Sequence, residues 1–253
     1  MSDLLTHLDT AAVCAVVGGV SGWLVPRLVA AVPEPEPAPS PEPPASDAAR
    51  PPKELYADIA RRPGLAWRSA LVAAVVGATF GLALGWVWPL VYLLPAVPLG
   101  VALAVIDWRT RLLPTWYLAP AYPALVVLVV ACGALTRDWD DLVRAALGWL
   151  LMGGFYFLTY LISPRMMGYG DVRLAGLLGI ALGYLGWGQL VVGMYVAFIV
   201  FGFPPMLMAV VRRDRSILRM KMPFGPAMLF SAATGVVLGA PIAHWYLRSI
   251  GAA

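Results

Sequence analysis

The chain has 253 residues, 60% of them apolar and only 13% charged, about half the charge of an ordinary soluble domain. With a mean hydropathy of +0.78 this excludes a soluble or disordered chain and points to an all-α, polytopic membrane helix bundle. The formal charge of +4 does not imply a nucleic-acid partner, because the basic residues form no stripe.

The first apolar run, Thr10 to Val32, is long enough to cross a hydrocarbon core of about 30 Å. No Lys or Arg precedes it, so it reads as an N-out anchor instead of a cleavable signal. Pro33 to Pro52 then reads PEPEPAPSPEPPASDAARPP, a Pro/Glu/Ala tract with too little apolar surface to fold, expected as an extended cytoplasmic linker. Lys53 to Arg62 fits a short amphipathic helix at the membrane surface, with Leu55, Tyr56 and Ile59 toward lipid. Seven more spans follow, at about 66–86, 89–106, 115–133, 142–162, 172–187, 189–211 and 225–247, for about eight in all. The chain thus divides into an N-terminal transmembrane helix (1–32), a Pro/Glu-rich linker (33–65) and a membrane-embedded domain (66–253).

Lys and Arg favour cytoplasmic loops, and an N-out, eight-span arrangement puts 15 of the 18 basic residues inside. Only Arg137, Arg144 and Arg248 fall outside, and both termini are expected on the extracytoplasmic side. The basic cluster Arg212, Arg213, Arg215, Arg219 and Lys221 is accounted for by this rule and by anionic lipid. Cys14 and Cys132 sit singly in apolar runs and His7 and His244 lie near opposite ends, so no disulfide or metal site is expected.

No Glu occurs after residue 58, and within the bundle only Asp107 and Asp171 stand where an apolar helix meets a short cytoplasmic loop. Ionisable groups at membrane depth are costly and tend to be functional. Asp107 ends the third span, where the helix dipole opposes a negative charge; Asp171 opens the sixth, where it favours one. Brought together, two such carboxylates can share a proton and hold a water between an acid and a base, with Asp107 the expected acid and Asp171 the expected base. A plainer role exists for each: Asp171 as a helix N-cap, and Asp107 as an interfacial ion-pair partner of Arg109 or Arg111.

The residues around both carboxylates carry a resemblance. Gly168-Tyr169-Gly170-Asp171-Val172-Arg173-Leu174 resembles the GxGD signature of intramembrane aspartic proteases, in the GxGDhKL form of prepilin peptidases. Ile106-Asp107-Trp108-Arg109-Thr110-Arg111-Leu112-Leu113-Pro114 is similar to that family's first motif, and Met222-Pro223-Phe224-Gly225-Pro226 to its IPFGP segment. The three stand in the family's order across roughly residues 66 to 247. Two departures are Arg173 at the family's Lys position and Thr115 where Asn often follows the Pro.

The resemblance implies Asp107 and Asp171 as the catalytic pair. Gly168 and Gly170, without a Cβ to block an extended peptide, would line the substrate path with Pro223, Gly225 and Pro226. It implies a membrane endopeptidase that needs no cofactor or metal and removes short basic leaders from prepilin- or pseudopilin-like precursors at the cytoplasmic face of the inner membrane. The substrate's apolar helix would lie in the lipid bilayer against the bundle. Bifunctional members carry an N-methyltransferase part, often with paired CxxC motifs. Here a faint likeness at Gly18 to Leu28 is followed by the Pro/Glu tract and no cysteine pair, so that part is expected to be degenerate or absent. Two other classes remain open at this point: a proton-coupled carrier using the two Asp as a relay, and a non-catalytic subunit of a pilus or secretion assembly.

Overall fold

The structure, a computed structural model, describes residues 7–34, 54–162, 167–197, 199, 207–208, 211–212 and 223–251. The Pro/Glu tract from residue 35 to 52, Arg165, and Arg213 to Lys221 of the basic cluster lie outside the described residues.

All regular secondary structure among the described residues is helical. They form α1 (Leu8–Gly22), α2 (Val25–Ala30), α3 (Tyr56–Ala60), α4 (Leu65–Leu84), α5 (Leu90–Thr110), α6 (Thr115–Thr136), α7 (Trp139–Gly148), α8 (Gly154–Ile162), α9 (Tyr169–Leu185), α10 (Trp187–Ala197) and α11 (Gly225–Ser249), with a π-helical turn at Trp149–Gly153 joining α7 to α8. Among the described residues, six segments are long and apolar enough to cross a membrane: 8–30, 65–84, 90–110, 115–136, 139–162 and 225–249. Of the other two expected spans, 172–187 falls on α9, with 17 residues, and the first part of 189–211 on α10, with 11; residues 198, 200–206 and 209–210 of that span lie outside the described residues.

Backbone exceptions make the sharp turns. Gly85 ends α4 at φ 67°, where a Cβ would also run into the His7 ring, so the chain reverses in the few residues before Pro89. Arg111 closes α5 in the left-handed region at φ 55°, and Pro114 in extended geometry starts α6. That turn brings Leu113 beneath Gly170 of α9, where a Cβ on Gly170 would lie 2.9 Å from that of Leu113.

Helix pairs close through small residues, as expected where lipid removes the usual hydrophobic drive between helices. Helices α1 and α4 meet along Ala11, Cys14, Gly18 and Gly22 on one side and Ala73, Gly77 and Gly81 on the other. A Cβ on Gly18 would land on the Ala73 carbonyl, whereas one on Gly19 reaches only the Ala74 Cβ at 3.4 Å. Gly18→Ala is therefore expected to lower stability by about 1–3 kcal/mol, and Gly19→Ala to be nearly neutral, read from thermal unfolding in detergent. Helices α10 and α11 are pinned by Ser231, whose hydroxyl donates to the Gly193 carbonyl (2.7 Å) and accepts from the Ala197 N–H (2.9 Å).

The helix expected at 53–62 is present but faces the other way. Tyr56 and Ile59 are buried with Val25, Val29, Ala102 and Ile106, and only Leu55 is exposed. The apolar face is sequestered because α2 and α5 offer it a protein surface, and the segment returning from the linker is held there. The Ala57 N–H donates to Glu34 Oε1 (3.1 Å), and Arg62 Nε donates to Glu54 Oε1 (2.8 Å). The Tyr117 hydroxyl of α6 also donates to the Leu28 carbonyl, so the N-terminal helices buttress the end of α5 that carries Asp107.

Candidate active site

Asp107 lies one turn from the end of α5 and Asp171 in the first turn of α9; they are 4% and 8% exposed, in a bundle whose other described acidic residues are not buried. The fold brings the two carboxylates to the same end of the bundle, within reach of each other's charge.

Each carboxylate is held by a backbone N–H of a glycine that the sequence had singled out. The Gly225 N–H, at the first position of α11, donates to Asp107 Oδ2 at 2.9 Å, and the Gly168 N–H donates to Asp171 Oδ2 at 3.0 Å. Helix α9 starts at Tyr169 with Gly168 as its cap, so Asp171 is not the N-cap: it stands at the third helical position and reaches back to the cap N–H. Asp107 makes no ion pair among the described residues; Arg111 acts on it only at a distance. Because the N-terminus of α11 faces Asp107, the two acids are less different than their own helix ends imply, and they are better treated as a coupled pair.

Gly225 must be glycine for a packing reason. A Cβ there would sit 2.8 Å from Asp107 Oδ2 and 3.1 Å from Cγ. A Cβ on Gly168 would be 3.4 Å from Asp171 Oδ2, an ordinary contact. Pro223 precedes α11, half-buried, and the hydrogen bond from this segment to Asp107 comes from Gly225.

Tyr156 was not singled out by the sequence. It is fully buried in α8, its ring 6.0 Å from that of Phe224 beside Gly225, and its hydroxyl is near enough to Asp171 to feel its charge. Below Asp107, an apolar cavity of about 280 Å³ is lined by Gly100 and Ala104 of α5, Leu178 of α9, and Pro226, Leu229 and Ala233 of α11. Ala104 is one turn before Asp107 and Pro226 follows Gly225, so one end of the cavity lies within a helical turn of Asp107. No group of metal-ligating side chains occurs among the described residues.

Chemically, two buried carboxylates, each with one oxygen unengaged among the described residues, can polarise a water and a carbonyl together. The type IV leader peptidase family matches residues 94–210, a segment that contains both carboxylates and stops before Pro223. The chain is similar to the prepilin leader peptidase/N-methyltransferase of Aeromonas hydrophila, at 28% identity over 75% of this chain and 62% of that protein. It is similar to the proteins of the same name from Dickeya chrysanthemi (31% identity, 69% of this chain, 61% of that protein) and Pseudomonas putida (27%, 72% and 60%). The chain thus spans about three-fifths of the length of these curated relatives. No solved structure matches it. Both buried acids thus lie inside the segment that matches the type IV leader peptidase family.

Proposed function

We propose that the protein is a membrane aspartic endopeptidase that removes the short basic leader from type IV prepilin-like precursors. The observation that carries this reading is the pair of buried carboxylates at one end of an apolar bundle, each oriented by a glycine N–H. The family match over residues 94–210 and the relatives' names supply the substrate class.

In the proposed reaction, the ionised member of the Asp107/Asp171 pair takes a proton from a water, whose oxygen adds to the scissile carbonyl carbon. The protonated member gives its proton to the carbonyl oxygen. Collapse of the tetrahedral intermediate breaks the C–N bond: the newly protonated carboxyl gives its proton to the leaving amine while the other carboxylate takes a hydroxyl proton from the intermediate, so the pair ends with one proton, as it began. Gly168 leaves room for the extended peptide, whereas the space beside Gly170 is taken by Leu113. The cavity below Asp107 accepts an apolar side chain of the segment that follows the cut.

The charge distribution supports a cytoplasmic active site in the inner membrane with both termini outside, because 15 of 18 basic residues then lie inside. On this reading residues 66–253 are the peptidase, 1–32 an N-terminal transmembrane helix and 33–65 a linker in place of a working methyltransferase part. The test is to incubate lipid-reconstituted protein with a precursor bearing a basic leader and Gly at the junction. One cut at the junction is expected, with no methyl group incorporated from S-adenosylmethionine. Failure to cut several such precursors overturns the protease reading; methyl incorporation overturns the methyltransferase part alone.

A further inference from the structure

On the face of α9 turned away from Asp107, a cleft of about 330 Å³ opens between α6, the π-helical turn with α8, and the first two turns of α9. Its walls are aromatic: Tyr122, Trp149, Phe157 and Tyr169. Its floor is Val172, Arg173 and Gly176, and Gly153 and Gly154 leave its side wall without side chains. Trp149, Phe157 and Tyr169 are each two-fifths to one-half exposed, so the cleft opens laterally, where a membrane would lie.

Arg173 is the one charged group in this lining. It is fixed in place by neutral partners. Nη1 donates to Thr115 Oγ1 (2.7 Å), the guanidinium stacks 4.8 Å from the centre of the Tyr169 ring, and the Arg173 carbonyl accepts from the Tyr122 hydroxyl (2.7 Å). Among the described residues no carboxylate lies within ion-pair distance of it. An ordered guanidinium with unused N–H donors, at the mouth of an aromatic cleft, presents planar bidentate recognition for a phosphate.

We propose that this cleft binds an anionic phospholipid, its phosphate on Arg173 and part of one acyl chain along the aromatic wall from Phe157 to Trp149. Those nine residues of wall are about 12 Å long at helical rise. Charge and size select this occupant. A basic leader peptide is repelled by Arg173, and a substrate helix of that length and about 10 Å diameter needs roughly 900 Å³, well over the volume present. A single acyl chain fits, and the amphipathic rings of Tyr and Trp belong at the depth where headgroup meets hydrocarbon. Because Arg173 is two residues from Asp171, the bound lipid would also brace the first turn of α9.

The proposal stands independently of protease activity and is tested by native mass spectrometry of the full chain in detergent with dioleoyl phosphatidylglycerol, dioleoyl phosphatidylcholine, glycerol 3-phosphate or a basic leader peptide. Phosphatidylglycerol is expected to be retained about fivefold better than phosphatidylcholine, and Arg173→Gln to remove that preference. Gly154→Leu, at a position where a Cβ meets nothing within 4 Å, is expected to fill the cleft and lower retention of both lipids without loss of thermal stability. This second variant decides the matter should Arg173→Gln fail to fold. An unchanged preference in Arg173→Gln, unchanged retention in Gly154→Leu, or displacement of the lipid by the leader peptide overturns the proposal. Glycerol 3-phosphate binding as well as the lipid overturns it too, by reducing the site to a phosphate contact.

Discussion

Asp107→Asn and Asp171→Asn are each expected to reduce precursor cleavage by about 10²–10⁴-fold or more, the range that general acid–base groups contribute. The reason for choosing Asn lies in the hydrogen bonds. The amide oxygen of Asn accepts the Gly225 or Gly168 N–H as the carboxylate does, so the two glycines keep their partners and the helix ends stay in place. What disappears is the exchangeable proton. Each variant is expected to unfold within a few degrees of the unmodified protein while turnover collapses. Because the two acids act as one unit, the double variant is expected to be no worse than the more damaged single one. Cleavage surviving either single change removes that residue from the mechanism. A carrier reading, by contrast, expects cleavage to be absent in every form of the protein and ion coupling to vanish in the variants.

The bundle and its two acids were legible in the sequence because both signals are local. Apolar runs of span length mark helices wherever they occur, and a carboxylate in such a run is conspicuous against its neighbours. The spans expected at 66–86, 89–106 and 115–133 end two residues beyond, four short of and three short of the helix ends at Leu84, Thr110 and Thr136, because a run of apolar residues marks a span more sharply than its ends. The bond from Gly225 to Asp107 joins residues 118 apart, and nothing near either one announces it. The orientation of Tyr56 and Ile59 depends on surfaces supplied by α2 and α5, so an amphipathic pattern alone pointed them to lipid. Tyr156 lies in a run, Gly154–Ile162, that is apolar on all sides, and periodicity cannot separate a tyrosine buried beside a carboxylate from one facing the bilayer. The π-helical turn that shapes the aromatic cleft likewise leaves no mark in the sequence beyond Gly148, Gly153 and Gly154.

Gly225→Ala is expected to cost about 10²-fold in kcat, the loss associated with displacing a reacting group by about 1 Å. The single added methyl carbon would lie 2.8 Å from Asp107 Oδ2 and 3.1 Å from its Cγ, closer than carbon approaches either atom, so one side must move. Helix α11 is constrained by Ser231 against α10 and by the Gly188–Gly239 and Gly193–Gly235 approaches, whereas the Asp107 side chain turns about a single bond. The carboxylate is therefore the part that yields, losing its 2.9 Å bond to the Gly225 N–H and its alignment with Asp171. Gly168→Ala provides the contrast within the same site. Its Cβ stays 3.4 Å from Asp171 Oδ2 at a φ of −79°, an ordinary backbone angle, so the carboxylate need not move. Any penalty there falls on the path of the extended peptide and appears in KM with kcat unchanged. Steady-state kinetics on the two variants, with the fold verified by thermal unfolding, separates a glycine that positions a catalytic acid from one that makes room for substrate. Equal kcat for Gly225→Ala and the unmodified protein would show that Asp107 need not be held where it is.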